Sequence, residues 1–329
     1  MNLNEVKFFI GPMSKNIVDT LVDFSTKENY KIGIVASRRQ VDWDGGYANN
    51  WNTQNFYNYL VCKRDNLIVE RDHGGINQGR YYDNGTMSFY MDAINGFDII
   101  HVDPWNNYSD FQRGLDEIVD NIKFISKING NCLFEVGTEE SIYSFDEVML
   151  DNMLSYLKDK LSILFKKIVY CVIQSGTKLV GIQNTGNFNI NRLKRMIDVC
   201  NKYEILSKEH NGDYLSSEDI KIRFDAGLSA INIAPEFGVF ETDVILKNIT
   251  ENQKETFFNI CYNSNKWVKW VTPDFNPHEN KEELIRICGH YQFSTPEFIK
   301  MNLNLDNIIK EQLYKKLEEM SKIITGKIN

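Results

Sequence analysis

The run Ile168-Val169-Tyr170-Cys171-Val172-Ile173 decides the fold, together with seven further runs of the same kind. It is apolar on both faces and rich in β-branched residues. It lacks the polar–apolar alternation of a strand that exposes one face to solvent. Such a run predicts a β-strand that is buried on both sides. Strands of this kind belong to parallel sheets covered by helices.

Similar segments recur along the chain at the spacing of one strand and one helix. The eight segments are Val6–Ile10, Ile32–Ala36, Leu67–Val69, Ile99–Val102, Cys132–Val136, Ile168–Ile173, Glu204–Leu206 and Ala230–Ala234. Their starts lie 26 to 36 residues apart, which fits one strand–helix unit. Helical patterns lie between them, for example Ser14–Phe24 with Ser14 as its N-cap, and Val148–Phe165. The pattern predicts a (β/α)₈ TIM barrel, with an open doubly wound sheet as the alternative.

The domain organisation follows from where the strand pattern stops. After residue 242 the sequence becomes helical, and it closes with a charged helical stretch from Asn304 to Ile324. We therefore expect a barrel over residues 1–245 and a helical C-terminal extension over residues 246–329 that packs on the barrel.

Composition narrows the range of partners and compartments. The chain has 329 residues with 37 Lys and Arg against 45 Asp and Glu, a net charge of −8, and no cluster of basic residues. This argues against nucleic acid or an anionic membrane as a partner. There is no apolar run of membrane-spanning length and no basic start followed by an apolar stretch, and the six cysteines form no C-x-x-C pair. We expect a cytoplasmic protein with reduced thiols.

Candidate metal ligands lie where the predicted strands end, which is where barrels carry their chemistry. Asp72 and His73 close the third segment, Glu135 lies in the fifth with Glu139 just after it, and His210 follows the seventh. Imidazoles and carboxylates are ligands for a divalent ion such as Zn²⁺, although a single His at a strand end is often only a hydrogen-bonded structural residue. For His101, in the fourth segment, we expect the structural role.

Candidate substrate-binding residues lie on the same predicted loops. Glycine-containing turns at Gly176-Thr177-Lys178 and Gly212-Asp213 could present backbone amides to a phosphate, although such turns also occur without a ligand. Arg39 supplies positive charge and Asn232 a hydrogen bond to a hydroxyl group, and Gln40 lies beside Arg39. These residues could together bind a phosphate and a hydroxyl group of a ligand.

A set of short motifs resembles a known family. The motifs are Ala36–Val41 with Gly45-Gly46-Tyr47, Asp72-His73, Ile100–Asp103, Val136–Glu139, Glu209–Tyr214, Ala230–Glu236 and Arg286–Asn302. In this order they resemble the tagatose-1,6-bisphosphate aldolase accessory-subunit family, itself similar to the class II, metal-dependent ketose-bisphosphate aldolases. The resemblance spans most of the chain.

This resemblance implies two functions of different classes. In the aldolases an aspartate at the Asp72 position moves protons, and histidines after the third, sixth and seventh strands hold zinc. Here the sixth position reads Gln174-Ser175-Gly176, so Glu135 or Glu139 is expected to complete the site, unless the metal is bound weakly or the chemistry is lost. One hypothesis is a class II-type lyase that acts on a phosphorylated ketose or uses dihydroxyacetone phosphate. The other is a non-catalytic subunit that stabilises a separate aldolase, and either protein could also form a homo-oligomer.

Overall fold

The computed structural model describes residues 2–105, 107–108, 110–138 and 145–325. Eight parallel strands form a closed barrel in the order β1-β10-β9-β6-β5-β4-β3-β2. They are β1 Phe8–Ile10, β2 Ile32–Ser37, β3 Leu67–Gly74, β4 Ile99–Val102, β5 Leu133–Gly137, β6 Ile168–Val172, β9 Leu206–Glu209 and β10 Ala230–Ile233. Phe9 on β1 pairs with Asn232 on β10, which closes the sheet. The (β/α)₈ barrel is therefore confirmed, and the open sheet is not formed.

A short antiparallel pair stands outside the barrel, in the loop after β6. Its strands are β7 Leu179–Val180 and β8 Gln183–Asn184. The seventh barrel strand, β9, begins at the last residue of the segment Glu204–Leu206 that the sequence suggested. Glu204 instead takes a positive φ of 61° in the turn that follows the preceding helix.

Helices surround the barrel. They are α1 Lys15–Lys27, α2 Thr53–Leu60, α3 Thr86–Ile94, α4 Phe111–Ile128, α5 Glu147–Leu161, α6 Ile190–Lys202, α7 Ser217–Asp225, α8 Pro235–Asn248, α9 Glu251–Asn263, α10 Lys281–Cys288, α11 Pro296–Ile299 and α12 Asp306–Thr325. The Ser14 side chain accepts a hydrogen bond from Ile17 N at 3.1 Å, the N-cap that the sequence predicted. Helix α5 is shorter than predicted, because Ser162 has a φ of 51° and starts a 3₁₀ turn.

The last helix completes the ring around the barrel. Helix α12 packs on α1, α8 and α7, so the C-terminal segment contacts both the first and the last repeats of the barrel. The division predicted at residue 245 falls inside α8 and stays a prediction. No helix in the described part of the chain is both long and apolar enough to cross a bilayer.

Side chains fill the barrel interior, because alternate residues of each strand point inward. One interior cluster is apolar and contains Val6, Phe9, Val35, Ile68, Ile99, Tyr170 and Ala230. The buried charges Glu70, Glu135 and Lys208 lie on β3, β5 and β9. Near the carboxyl ends of the strands come Asp72 on β3, His101 on β4, Asn232 on β10 and His210, which directly follows β9. Polar side chains are therefore gathered at the barrel mouth.

Candidate metal centre

Four side chains converge at the mouth of the barrel. One atom each from Asp72, His73, His101 and His210 lies within 4.8 Å of every other. The ring centroid of His73 is 5.2 Å from that of His210 and 5.2 Å from that of His101, and the His101 and His210 centroids are 5.1 Å apart. The close approach expected for His73 and His210 is thus present, with a third imidazole beside them.

A distortion of β3 lets two consecutive residues face the same site. In a regular strand, Asp72 and His73 would point to opposite sides. The pairing of β3 with β4 shifts register between Arg71 and Gly74, and His73 takes a positive φ of 44°. A left-handed conformation at a non-glycine residue costs free energy and is concentrated at functional sites. The distortion brings the His73 ring beside the Asp72 carboxylate, with Nε2 3.6 Å from Oδ1.

Two of the imidazoles are oriented by acceptors outside the cluster. His73 Nδ1 lies 2.6 Å from Oδ2 of Asp103, and His101 Nε2 lies 3.0 Å from the carbonyl oxygen of Gly137. The Gly137 carbonyl oxygen and the ionised Asp103 carboxylate can only accept hydrogen bonds. His73 Nδ1 and His101 Nε2 therefore carry the N–H. The other nitrogens, His73 Nε2 and His101 Nδ1, are then the lone-pair atoms. His73 Nε2 lies beside Asp72, and His101 Nδ1 accepts a hydrogen bond from the backbone nitrogen of His73 at 3.3 Å.

The third imidazole is oriented by a buried carboxylate. His210 Nε2 lies 2.7 Å from Oε1 of Glu135, and His210 Nδ1 lies 3.5 Å from Oδ1 of Asp72. Glu135 therefore lies behind His210, on the side of the ring away from Asp72. It does not belong to the four-residue ligand set, although the sequence suggested it as a ligand. Its contact is the carboxylate–histidine pairing that commonly orients a metal-binding His.

Beneath the histidines lies a buried charge network. Lys208 Nζ is 2.9 Å from Glu135 and 2.5 Å from Glu70, and all three side chains are fully buried. Burial alone would raise the pKa of Glu135, but Lys208 and His210 hold it well below its usual range. Burial and the nearby Glu135 charge raise the pKa of Glu70 to about 8. Lys208 thus neutralises the carboxylate that orients His210.

The cluster has the donor set of a transition-metal site. Three imidazole nitrogens and one carboxylate oxygen suit a divalent ion such as Zn²⁺. His101, expected to be only structural, lies among these donors, and β4 supplies the imidazole that the sixth strand lacks. The sequence did indicate that His101 points into the barrel, because it lies two residues after the inward-facing Ile99 on the same strand. Glu139, the other suggested ligand, lies outside the described residues.

Several predicted substrate-binding groups are used inside the fold. Gln40 accepts a hydrogen bond from Ser37 N at 2.8 Å and is buried. The Gly212 amide donates to the carbonyl oxygen of Asn232 at 3.0 Å. Asp213 Oδ1 accepts from the backbone nitrogens of Ala234 and Glu236 at 3.0 and 2.8 Å. Since these groups support turns and the start of α8, the Gly212 amide is not placed to hold a phosphate, and the backbone amide of Asp213 stays a predicted phosphate contact.

Other predicted binding residues remain open to a ligand. Within the described part of the chain, neither amide atom of the buried Asn232 side chain has a hydrogen-bond partner. Gly176, Thr177 and Lys178 lie in the loop after β6, with Lys178 exposed. Arg39, just after β2, is exposed as well. Asn232 is therefore a predicted substrate contact that is buried near the carboxyl end of β10 with both amide atoms open to a ligand.

No family model matches the chain, and no curated protein sequence matches it. Solved structures match at low identity. A probable tagatose 6 phosphate kinase from Sinorhizobium meliloti 1021 is 13% identical with a TM-score of 0.73, over 94% of this chain and 86% of that one. Fructose-bisphosphate aldolase from Campylobacter jejuni is 12% identical with a TM-score of 0.60, over 98% and 90%. Fructuronate-tagaturonate epimerase from Cohnella laeviribosi is 9% identical with a TM-score of 0.64, over 98% and 81%. At these identities the likeness shows the fold.

Proposed function

We propose that the protein is a metal-dependent, class II-type aldolase that cleaves or forms a carbon–carbon bond next to the ketone of a phosphorylated ketose. One observation carries the proposal: Asp72, His73, His101 and His210 converge at the carboxyl end of the barrel. The likeness of fold to a fructose-bisphosphate aldolase supports it.

The three imidazoles would hold the ion, for which we propose Zn²⁺. A divalent ion supplies a Lewis acid for a carbonyl oxygen and stabilises negative charge that develops there. Asp103 and Glu135 keep the ligating nitrogens of His73 and His210 directed at the cluster, and the Gly137 carbonyl does the same for His101. Orientation of this kind lowers the cost of assembling the site.

Asp72 is the group that we assign to proton transfer. Its side chain is 16% exposed, more than the buried His210 beside it, and its Oδ1 lies 3.5 Å from His210 Nδ1. A carboxylate at this position can take a proton from the carbon next to a ketone and return it. Asn232 offers an amide donor and acceptor that can orient a substrate hydroxyl group.

The test is a cleavage assay of the purified protein after chelation and after addition of Zn²⁺. Candidate substrates are fructose 1,6-bisphosphate, tagatose 1,6-bisphosphate and fructose 1-phosphate, with release of dihydroxyacetone phosphate as the readout. We expect cleavage only in the metal-loaded protein. The variant His73→Ala should abolish it, and the matched His278→Ala, at an exposed His, should not.

The competing hypothesis is the non-catalytic subunit. It predicts no cleavage by the isolated, metal-loaded chain and a stable complex with a separate aldolase whose activity rises on mixing. That pair of results would overturn the lyase proposal. Formation of a stereoisomer without cleavage would also overturn it, in favour of an epimerase.

A further inference from the structure

A second feature of the barrel mouth is a large cavity bounded by positive charge. It has a volume of about 690 Å³ and is lined by Arg39, Arg80, Lys266 and Lys269, among others. Arg39 follows β2 and Arg80 lies in the loop after β3, so the cavity opens at the same end of the barrel as the histidine cluster. The two lysines come from the segment between α9 and α10. The C-terminal part of the chain therefore forms one wall.

The positive charge of this cavity is not balanced. No acidic side chain lines it, and in the described ranges none of its four cations lies within salt-bridge distance of a carboxylate. The neighbouring Arg38 shows the contrast, because it is buried in ion pairs with Asp42 and Asp83. Burial lowers the pKa of Lys266, and the nearby Arg80 charge lowers it further. Burial and the Arg39 charge lower the pKa of Lys269 in the same way. Gathering like charges is costly, and a bound anion offsets the cost.

Two tyrosines give the cavity an aromatic wall. The rings of Tyr47 and Tyr291 meet edge to face, with centroids 4.9 Å apart. Lys266 Nζ lies 5.8 Å from the Tyr47 centroid and 5.3 Å from the Tyr291 centroid. Aromatic side chains contribute large apolar surfaces and hydroxyl groups. The wall thus provides contacts for the carbon skeleton of a ligand whose charge is met by the cations.

We propose that this cavity binds a phosphate group, carried by a sugar-sized ester or as free inorganic phosphate, through Arg39, Arg80, Lys266 and Lys269. A phosphate dianion carries more charge than a carboxylate and accepts hydrogen bonds from several donors at once. The volume of about 690 Å³ is in the range of small-molecule sites. The choice of a sugar phosphate rests on the proposed function, but the binding itself needs neither the metal nor the proposed reaction.

The test is calorimetric titration of the chelated, full-length protein with fructose 6-phosphate, fructose and inorganic phosphate. Fructose 6-phosphate should bind at least tenfold more tightly than fructose. In the double variant Lys266→Met/Lys269→Met its affinity should fall at least tenfold. The control is Lys123→Met/Lys127→Met, which removes two exposed positive charges from α4 and should leave the affinity unchanged.

The remaining outcomes separate the two carriers of the phosphate. Inorganic phosphate that binds as tightly as fructose 6-phosphate, with binding lost in the cavity variant, assigns the site to the free anion. Weaker binding of inorganic phosphate assigns it to the ester. Equal losses in the cavity and control variants, or no loss in the cavity variant, would overturn the proposal. Because the protein is chelated, failure here is distinguishable from failure of the lyase assay.

Discussion

Nδ1 of His73 lies 2.6 Å from Oδ2 of Asp103, two residues beyond His101 on the neighbouring strand. This contact fixes which nitrogen of His73 faces the cluster, and it holds a residue whose backbone is in the left-handed region. Asp103 is itself almost fully buried. Asp103 is therefore a positioning residue for the proposed ligand His73, and replacing it should weaken metal binding.

The variant Asp103→Asn should weaken Zn²⁺ binding by about 10- to 100-fold, because the amide no longer fixes the His73 tautomer. Competition with a chromophoric chelator measures the affinity. Asp274→Asn, at an exposed position, is the matched control. Unchanged affinity in Asp103→Asn would show that the pairing does not orient a ligand.

His101 should be required for metal binding. We expect His101→Ala to lower the Zn²⁺ content of protein dialysed against limiting metal far below the wild-type level, since it removes one of three imidazoles. His278→Ala should retain the wild-type content. The measurement is the molar ratio of metal to protein by elemental analysis. A full complement of metal in His101→Ala would return His101 to the structural role that we first expected.

Lys208 should be essential for stability. The variant Lys208→Met leaves the Glu135 charge buried without its cation, and breaking such a pair costs about 3–5 kcal/mol. Adding Glu135→Gln to Lys208→Met removes that charge and should recover part of the loss. Urea unfolding of the chelated proteins measures both values. A double variant less stable than Lys208→Met would contradict this explanation.

Glu241 should make stability depend on pH. Burial raises its pKa from 4.5 to about 7, against the hydrogen bonds from Ser14 and Asn16. Between these values the folded chain keeps a proton that the unfolded chain releases. The favourable contribution is therefore complete below pH 4.5 and is lost as the pH rises through 7.

Glu241→Gln does not titrate, so its stability relative to wild type should increase across pH 4.5–7, by up to about 1.4 kcal/mol per pH unit. Glu319→Gln, at an exposed position on α12, should show no such trend. Urea unfolding at several pH values gives the comparison. A parallel pH dependence of Glu241→Gln and wild type would disprove the assignment.

The barrel was predictable because most of its strands are short apolar runs at a regular spacing, and burial on both faces leaves a clear signature in the sequence. The inward positions of Asp72, His101 and His210 also follow from alternation along each strand. The local distortion at His73 cannot be predicted from this alternation, because a positive φ at a histidine is set by tertiary contacts such as the one with Asp103. For the same reason the roles of Glu135 and Asp213 were not apparent, since each is determined by partners distant in sequence.

The Lys266 and Lys269 wall of the basic cavity could not be predicted either. These lysines follow α9, more than 180 residues from Arg80, and only the packing of the C-terminal helices brings them to the mouth. The sequence suggested Arg39, which does line this cavity, but it also suggested the Gly212 amide, which the structure shows donating to the carbonyl oxygen of Asn232. Glycine turns are ambiguous in sequence because the same residue serves a tight turn and an anion site.

The central claim is that Asp72 moves a proton at a carbon next to a ketone. The most direct measurement is deuterium exchange into dihydroxyacetone phosphate in D₂O, followed by proton NMR with the Zn²⁺-loaded protein. The wild type should exchange one α-proton stereospecifically, and Asp72→Asn should lose at least 100-fold of that rate while keeping its fold and its metal. Exchange at the wild-type rate in Asp72→Asn, or no exchange above background in the metal-loaded wild type, would contradict the account.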